Sequence, residues 1–404
     1  MDSIKRKAEE WRAGNAKSIT FIVTKDCQLA CKYCYLVGKN TEERMSFEVA
    51  KKAIDYVLTN RTFFPEESVV WDFIGGEPFI EIDLIVKICN YIKTEMFRLD
   101  HPWFNSYRLS FSTNGVNYGS PKVQKFVLEN LEHLNIGITI DGTKKKHDLN
   151  RIYKGSNKGS YDDVVANIPL WLSQFPYAST KVTISSEDLP YIKESVLHLY
   201  SLGIHEVNIN CVFENIWQEG DDMKFEEQLI GLADEIIDKG YYSDYTCSFF
   251  SEIIGKPLNP KIDNQNWCGA GKMLSVDAAG NFYPCTRFAQ YSLRSKKALI
   301  IGNVNDGIDK NKLRPFLTLD RTTQSPQKCL ECDVASGCAW CQGENYDAAE
   351  TPTIYQRATA ICLMHKARVR ANNYYWNKLY RKLELEGERE RYEKNKIVEP
   401  LKTC

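Results

Sequence analysis

The sequence predicts an α/β fold built on a parallel sheet, followed by a smaller α+β domain rich in cysteine. Between residues 18 and 241, strand-like and helix-like segments alternate six times with short loops. This alternation is typical of parallel strands joined by helical crossovers. Beyond residue 241 the alternation stops, and most of the 14 cysteines follow. We therefore predict an N-terminal extension (1–17), an alternating domain (18–241) and a cysteine-rich domain (242–404).

Six runs of β-branched and aromatic residues predict the strands, at 18–24, 68–75, 108–113, 135–141, 180–185 and 206–213. Helical patterns follow them at 46–59, 80–99, 120–133, 161–175, 189–202 and 222–239. In the second pattern Ile85, Ile88 and Ile92 recur at helical spacing. The third begins with Ser120 and Pro121, a cap followed by proline at the first helical position.

The cysteine-rich part contains a predicted hairpin and a long helix. Apolar Leu274 and Val276, a turn at residues 277–280 and then Phe282 predict the hairpin. Residues 355–396 have helical propensity and a cluster of aromatic side chains. Glutamates balance their basic residues, so we expect a helix packed on the rest of the protein with a solvated charged end.

Composition indicates a globular protein of the cytoplasm. Hydrophobic residues make up 43% of the chain and charged residues 26%, and the net charge of −1 gives no reason to expect nucleic acid or membrane as a partner. No apolar run is long enough to span a bilayer, and residues 1–12 lack the apolar core of a signal peptide. In a reducing compartment, cysteines are more often metal ligands than disulfides.

Three cysteines follow the first predicted strand. Cys27, Cys31 and Cys34 have three and then two residues between them. Three thiolates can hold three irons of a 4Fe–4S cluster, which normally takes four, and leave the fourth iron open to a ligand. The alternatives are a zinc knuckle and unliganded core cysteines.

Further motifs close the next three predicted strands: Gly75-Gly76-Glu77-Pro78, Ser112-Thr113-Asn114-Gly115 and Thr139-Ile140-Asp141-Gly142. The carboxyl ends of parallel strands meet at one edge, so these motifs converge with the cysteine loop. Glycines there let the backbone approach a ligand closely. Arg151 follows the last motif, and its planar fork can pair with a carboxylate or serve a structural ion pair.

Together these features resemble the radical S-adenosylmethionine (SAM) superfamily. The resemblance implies a partial (β/α)6 TIM-type barrel and a 4Fe–4S cluster on the three cysteines. The open iron would hold the amino and carboxylate groups of SAM, and reduction would split SAM into methionine and a 5′-deoxyadenosyl radical. The residues implied for SAM binding are Gly75, Gly76, Glu77, Pro78, Ser112, Thr113, Asn114 and Arg151.

The later cysteines resemble the SPASM extension of radical SAM enzymes, which carries two auxiliary 4Fe–4S clusters. The resemblance implies an outer cluster on Cys329, Cys332, Cys338 and Cys362. It implies an inner cluster on Cys268, Cys285 and Cys341. The gap between Cys338 and Cys341 is two residues, where the family usually has three. One or two four-thiolate zinc sites are the alternative.

The inner site is one ligand short in this assignment. Cys247 could complete it, or one iron could stay open to substrate, and we favour the open site because short spacings dominate known cluster motifs. Among the other cysteines, Cys89 lies on an apolar helix face and is predicted to be a core residue. Cys211 lies near the end of the sixth strand, either in the core or directed into the barrel, and Cys404 is terminal.

Two groups of peptide and protein maturases share this pattern. One forms cross-links in ribosomally made peptides, typically thioethers from cysteine sulfur; the other comprises anaerobic sulfatase maturases, which oxidise Cys or Ser to formylglycine. Sulfatase maturases carry an aspartate after the cysteine equivalent to Cys285, as a proton acceptor. This chain has Thr286 and then Arg287, and threonine is not a base at neutral pH. The sequence therefore favours the cross-linking group.

The expected partners are a precursor peptide and an electron donor such as flavodoxin or ferredoxin. Only 26 residues precede Cys27, which is short for the winged-helix module that grips leader peptides in many such enzymes. Leader recognition would then use another surface or a separate leader-binding protein. A non-catalytic iron–sulfur electron carrier or zinc scaffold is the alternative of another class, but a carrier has no need of an open iron.

Overall fold

Six parallel strands in chain order form the framework of the computed structural model, which describes residues 16–266 and 268–385. They are β1 (Ala16–Thr24), β2 (Ser68–Gly75), β3 (Tyr107–Thr113), β4 (Leu134–Ile138), β5 (Ser179–Ile184) and β6 (Glu206–Cys211). Strands β1 to β4 pair successively. Strands β5 and β6 pair in a second sheet, and a parallel bridge between Thr139 and Lys181 connects the two sheets. The six predicted strands are confirmed.

Helices follow the strands as predicted, with shorter bounds. They are α1 (Phe47–Thr59), α2 (Ile82–Arg98), α3 (Pro121–Asn130), α4 (Lys144–Asn150), α5 (Tyr161–Val165), α6 (Ile168–Gln174), α7 (Ile192–Ser201) and α8 (Asp221–Asp238). The pattern at 161–175 predicts one helix, but two short helices form. Pro169 lacks the N–H that would bond the carbonyl of Val165, so the helix ends and starts again. Helix α4 is an addition to the predicted set.

The C-terminal hairpin is confirmed, and it joins the main sheet. Strands β8 (Leu274–Val276) and β9 (Asn281–Tyr283) are antiparallel, and β8 pairs in parallel with β1. Two short strands, β10 (Gly302–Asn303) and β11 (Gly307–Ile308), complete an eight-stranded sheet with the order β11-β10-β9-β8-β1-β2-β3-β4. The hairpin thereby continues the sheet past β1.

Two strand pairings cross the predicted domain boundary at residue 241. Besides the β8–β1 pair, the short strand β7 (Thr246–Cys247) extends the second sheet beside β6. The division into 18–241 and 242–404 stays a prediction, and the cysteine-rich segment packs directly on both sheets. The remaining helices are α9 (Lys310–Thr318), α10 (Arg321–Gln324), α11 (Gln327–Leu330), α12 (Gln342–Ala348) and α13 (Cys362–Leu385).

The apolar core lies between the sheets and the helices that cover them. Ile85, Ile88 and Ile92 of α2 are fully buried, which confirms the helical period, and Cys89 beside them is a core residue. Helix α13 packs along α8, and ion pairs such as Lys378–Asp234 cross that contact. The packed part of the predicted tail helix is confirmed, whereas its charged end and Cys404 lie outside the described residues. None of the helices described here combines the length and apolar character that crossing a bilayer requires.

Candidate active site

The cysteine loop (residues 27–34) follows β1 and is held against the chain that follows α4. The amide of Ala30 donates to the carbonyl of Ile152 at 2.8 Å, and that of Lys32 donates to the carbonyl of Asn150 at 3.1 Å. These backbone bonds resemble an antiparallel pairing. They hold residues 150–154 along the loop and thereby bring the predicted SAM ligand Arg151 beside it.

The glycine pair after β2 allows the cysteine loop to approach the sheet. A Cβ atom on Gly76 would lie 2.2 Å from the carbonyl oxygen of Asp26 and 2.9 Å from the Cβ of Cys27. A Cβ on Gly75 would lie 2.3 Å from the carbonyl oxygen of Thr24. These distances are far inside van der Waals contact. Both positions therefore require glycine for the loop to sit where it does.

Glu77 joins the ends of β2 and β3. Its buried carboxylate accepts hydrogen bonds from the hydroxyl of Thr113 and the amide of Asn114, both at 2.7 Å, and from the amide of Phe79 at 3.1 Å. These donors lower the pKa of Glu77, but burial raises it by more, so the net shift is upward. Burial and the Glu77 charge in turn raise the pKa of Cys27 to about 11, so metal binding must displace a proton there.

The predicted SAM-binding residues thus lie together, although several of them bind each other. Asn114 donates to the side-chain oxygen of Gln28 at 3.1 Å, next to Cys27. Ser112 accepts from Lys181 of β5 at 2.8 Å, and Pro78 starts the turn that leads into α2. The ends of β2 and β3 are held together beside the cysteine loop by the hydrogen bonds among Glu77, Thr113 and Asn114. These three residues therefore shape the site.

Arg151 is 6% exposed and lies beside Cys31. Its Nη1 donates to the hydroxyl of Tyr33 at 3.0 Å, and that hydroxyl also bonds the carboxylate of Asp141. Burial lowers the pKa of Arg151, but the nearby Tyr33, Cys31 and Asp141 outweigh this effect and raise that pKa well above its usual range. Its Nε has no hydrogen-bond partner among the described residues. A charged, incompletely paired guanidinium at this place fits a carboxylate ligand.

We expect Arg151→Ala to weaken SAM binding by about 30- to 150-fold, because a charge-assisted fork is worth about 2–3 kcal/mol. Equilibrium binding of SAM to the reconstituted protein measures this. Arg151→Lys is the matched control: it keeps the charge without the fork and should recover only part of the affinity. Iron content should stay near that of the unchanged protein in both variants. An unchanged affinity in Arg151→Ala would assign Arg151 to a structural ion pair.

Cys268, Cys285 and Cys341 form the second group of cysteines. Burial raises the pKa of Cys285, and so do the nearby charges of Cys268 and Cys341. Cys247 lies elsewhere, on β7, where its thiol faces Arg368. The same guanidinium faces Cys211 at the end of β6, whose buried thiol has a pKa raised to about 12.

The third group surrounds a cavity of about 510 Å³ whose walls include Cys329, Cys332, Cys338 and Cys362. Arg357 lies in the same wall and donates to the sulfur of Cys338 at 3.3 Å. Every described cysteine is free. In the described parts of the chain, no three His, Cys, Asp or Glu side chains converge closely enough to hold one metal ion. Four thiolates can hold a 4Fe–4S cluster or a tetrahedral zinc, so the outer cluster stays a prediction.

A cavity of about 600 Å³ opens beside the cysteine loop. Its wall includes Cys34, Glu214 and Arg294, together with Lys32, Tyr33, Tyr35, Val37, Asn150, Ser185, Ser186, Glu187, Val212, Ile216 and Gln218. The wall combines loop residues, the end of β5 and the segment after β6. This space is large enough for a short peptide segment next to the predicted SAM cluster.

Arg287 connects this cavity to the inner cysteines. It donates to Glu214 and to Glu344, each at 3.0 Å, and its guanidinium lies 4.6 Å from the ring centre of Tyr35. Tyr35 follows Cys34, and Arg287 comes two residues after Cys285, so this side chain bridges the two cysteine sites. The sequence prediction included none of the carboxylates of this network, because their positions in the chain carry no local signal.

Comparison with known proteins agrees with this arrangement. Residues 14–161 match a family model described as a 4Fe–4S single cluster domain. The sequence is 20% identical, over 347 residues, to the radical SAM cyclopropyl synthase TigE of Paramaledivibacter caminithermalis, across 80% of this chain and 67% of that protein. The chain is a radical SAM enzyme. The superfamily prediction is confirmed, and the non-catalytic carrier and zinc scaffold are excluded.

Further relatives of this radical SAM enzyme include an uncharacterised protein of Methanocaldococcus jannaschii, 26% identical over 74% of this chain and 91% of that one. A serine-type anaerobic sulfatase-maturating enzyme of Bacteroides thetaiotaomicron is 22% identical over 77% and 78% of the two chains.

Solved structures share the fold. The structure of native anSMEcpe with bound AdoMet superposes with a TM-score of 0.67 at 17% identity, covering 91% of this chain and 99% of that one. Streptococcus suis SuiB bound to the precursor peptide SuiA superposes with a TM-score of 0.54 at 13% identity, covering 89% and 80%. Coverage of this extent includes parts of both the alternating and the cysteine-rich segments, so most of the chain follows one known fold.

Proposed function

We propose that this radical SAM enzyme forms a cross-link in a ribosomally made peptide, a thioether from a cysteine sulfur to a carbon of another residue. Its framework is a partial (β/α)6 barrel with three 4Fe–4S clusters. The observation that carries the proposal is the residue after Cys285. Thr286 stands where sulfatase maturases have a catalytic aspartate, and the guanidinium of Arg287 is engaged by two glutamates.

Each cysteine group has a role in this proposal. Cys27, Cys31 and Cys34 hold the SAM-binding cluster, and Arg151 pairs with the SAM carboxylate. SAM bound there supplies a 5′-deoxyadenosyl radical that removes a hydrogen atom from the substrate. The outer cysteines hold an auxiliary cluster in their 510 Å³ cavity. The inner three hold another and leave one coordination position for the donor cysteine of the peptide, since thiolates are strong iron ligands.

Formylglycine formation is the alternative activity. The B. thetaiotaomicron relative is a sulfatase-maturating enzyme, whereas TigE is a cyclopropyl synthase and SuiB binds the precursor peptide SuiA. The 600 Å³ cavity is large enough for a short segment of either kind of substrate. We favour cross-linking because Thr286 cannot accept a proton as aspartate does.

Mass spectrometry of peptide substrates distinguishes the two activities. The reconstituted enzyme is incubated with SAM and dithionite, with Cys-rich peptides encoded beside its gene and, separately, with a Cys peptide from a sulfatase. A thioether appears as the loss of two hydrogen atoms with the sulfur retained and the thiol no longer alkylated. Formylglycine appears as loss of sulfur and gain of a hydrazine-reactive carbonyl. SAM cleavage with neither change in any peptide would contradict the maturase proposal.

Cys247→Ala should leave iron content and turnover near those of the unchanged enzyme. Cys247 lies on β7 and faces Arg368. The cysteines whose charges raise the pKa of Cys285 are Cys268 and Cys341, not Cys247. The inner site would then keep its open position. Iron analysis and cluster electron paramagnetic resonance (EPR) spectra measure this, with Cys341→Ala as the matched control that should disrupt the inner cluster. Loss of the inner-cluster signal in Cys247→Ala would show a closed, four-cysteine site.

A further inference from the structure

Glu214 presents a carboxylate to the cavity beside the cysteine loop. It lies three residues beyond the end of β6, and its side chain is 13% exposed, so it is largely shielded from solvent. Its Oε1 accepts from Arg287 at 3.0 Å. Within the described residues its Oε2 has no hydrogen-bond partner. One oxygen is therefore fixed in place, and the other is available to a molecule in the cavity.

The other carboxylates of this region are less suited to contact a substrate. Glu344 receives hydrogen bonds from both Arg287 and Arg294, its side chain is 5% exposed, and it is not part of the cavity wall. Asp347 is bound by Arg294 and by backbone amides of residues 294–296. Glu187 lies in the wall but on its exposed side. Glu214 is the carboxylate that is both shielded and directed to the cavity.

Glu214 is also positioned between the two cysteine sites. Arg287, which holds it, stacks on Tyr35 next to Cys34 and lies two residues from Cys285. Glu214 and Cys34 lie in the wall of the same cavity, so a peptide bound there beside the cysteine loop would lie beside this carboxylate. A base must come within hydrogen-bond distance of the proton that it accepts, and a carboxylate in the wall of the cavity is open to that approach.

We propose that Glu214 accepts the proton of the substrate thiol, the task that an aspartate after the cysteine performs in sulfatase maturases. This inference rests on the proposed function. The S–H bond breaks, its proton passes to Oε2 of Glu214, and the sulfur bonds to the carbon that has lost a hydrogen atom. An oxidised 4Fe–4S cluster held by the inner cysteines would accept the one electron left over. One hydrogen thus leaves the peptide as an atom and the other as a proton and an electron.

Glu214→Gln tests the proposal, because glutamine keeps an oxygen for Arg287 but cannot accept a proton. We expect iron content, SAM cleavage and hydrogen transfer from a deuterated peptide to 5′-deoxyadenosine to be retained. Product formed per 5′-deoxyadenosine should fall by about 100-fold or more, within the range for loss of a positioned base. Glu214→Asp restores a carboxylate and should recover part of the yield.

Glu219→Gln is the matched control, since it removes a charge from the same segment at an exposed position outside the cavity wall. It should behave like the unchanged enzyme. A product yield in Glu214→Gln within about threefold of the unchanged enzyme would overturn the proposal. Equal loss of iron and SAM cleavage in Glu214→Gln and Glu214→Asp would also overturn it, in favour of a structural role. Failure of the unchanged enzyme to modify any peptide would count against the proposed function instead.

Discussion

Replacing Cys27, Cys31 and Cys34 together with alanine should remove about a third of the bound iron and abolish SAM cleavage, because we propose that these cysteines hold one of three four-iron clusters. The loop that carries them is anchored by its own backbone bonds to residues 150–154. It should therefore keep its path without the thiols. The two auxiliary sites lie on other segments and should keep their iron.

Iron analysis and chromatography of 5′-deoxyadenosine measure these effects after anaerobic reconstitution. Cys89→Ala is the control, because it removes a fully buried thiol that belongs to none of the three cysteine groups. It should lower stability modestly and leave iron content and SAM cleavage unchanged. Residual SAM cleavage in the triple variant would contradict the assignment of the SAM-binding cluster to these three cysteines. Loss of nearly all the iron would contradict the claim that the three cysteine groups bind iron independently.

Gly76→Ala should reduce SAM cleavage by about tenfold or more, because the added methyl group must displace the cysteine loop. Its carbon would lie 2.2 Å from the backbone oxygen of Asp26, and backbone atoms cannot turn aside as a flexible side chain can. The shift falls on Cys27, whose Cβ lies 2.9 Å from the same point. Both SAM cleavage and the SAM-induced change in the cluster EPR spectrum should diminish.

Gly137→Ala on β4 is the matched control for this variant. A Cβ there would meet its nearest neighbour, the carbonyl oxygen of Ser179, at 3.6 Å, which is ordinary contact. Its effect on SAM cleavage should be small. Equal activity of Gly76→Ala and the unchanged enzyme would mean that the cysteine loop tolerates displacement. Close approach of the loop would then not explain why glycine occupies position 76.

The sequence predicts the parallel framework well because that framework depends on local patterns. The six strands appear within a few residues of their predicted bounds, and the period of Ile85, Ile88 and Ile92 places the buried face of α2 correctly. The strand-end motifs converge because parallel strands carry their carboxyl ends to one edge. The break before α6 was missed, although Pro169 marks it, because apolar spacing continues across it.

Contacts between distant segments could not be predicted from spacing. The pairing of β8 with β1 joins residues more than 250 positions apart, and nothing in a three-residue strand specifies its partner. The motif alone predicts that Glu77 faces a cofactor, yet its carboxylate accepts hydrogen bonds from Thr113 and Asn114. The Glu214–Arg287 pair joins the segment after β6, a strand of the second sheet, to the cysteine-rich segment 73 positions later.

Mössbauer spectroscopy of the protein reconstituted with ⁵⁷Fe tests the central claim most directly. The account predicts about twelve irons per chain, all in 4Fe–4S clusters, with about a third of the signal changed by added SAM. That third would come from the proposed cluster with an open iron, on the cysteine loop beside Arg151. A protein that holds mostly zinc and about four irons or fewer would contradict the assignment of three clusters.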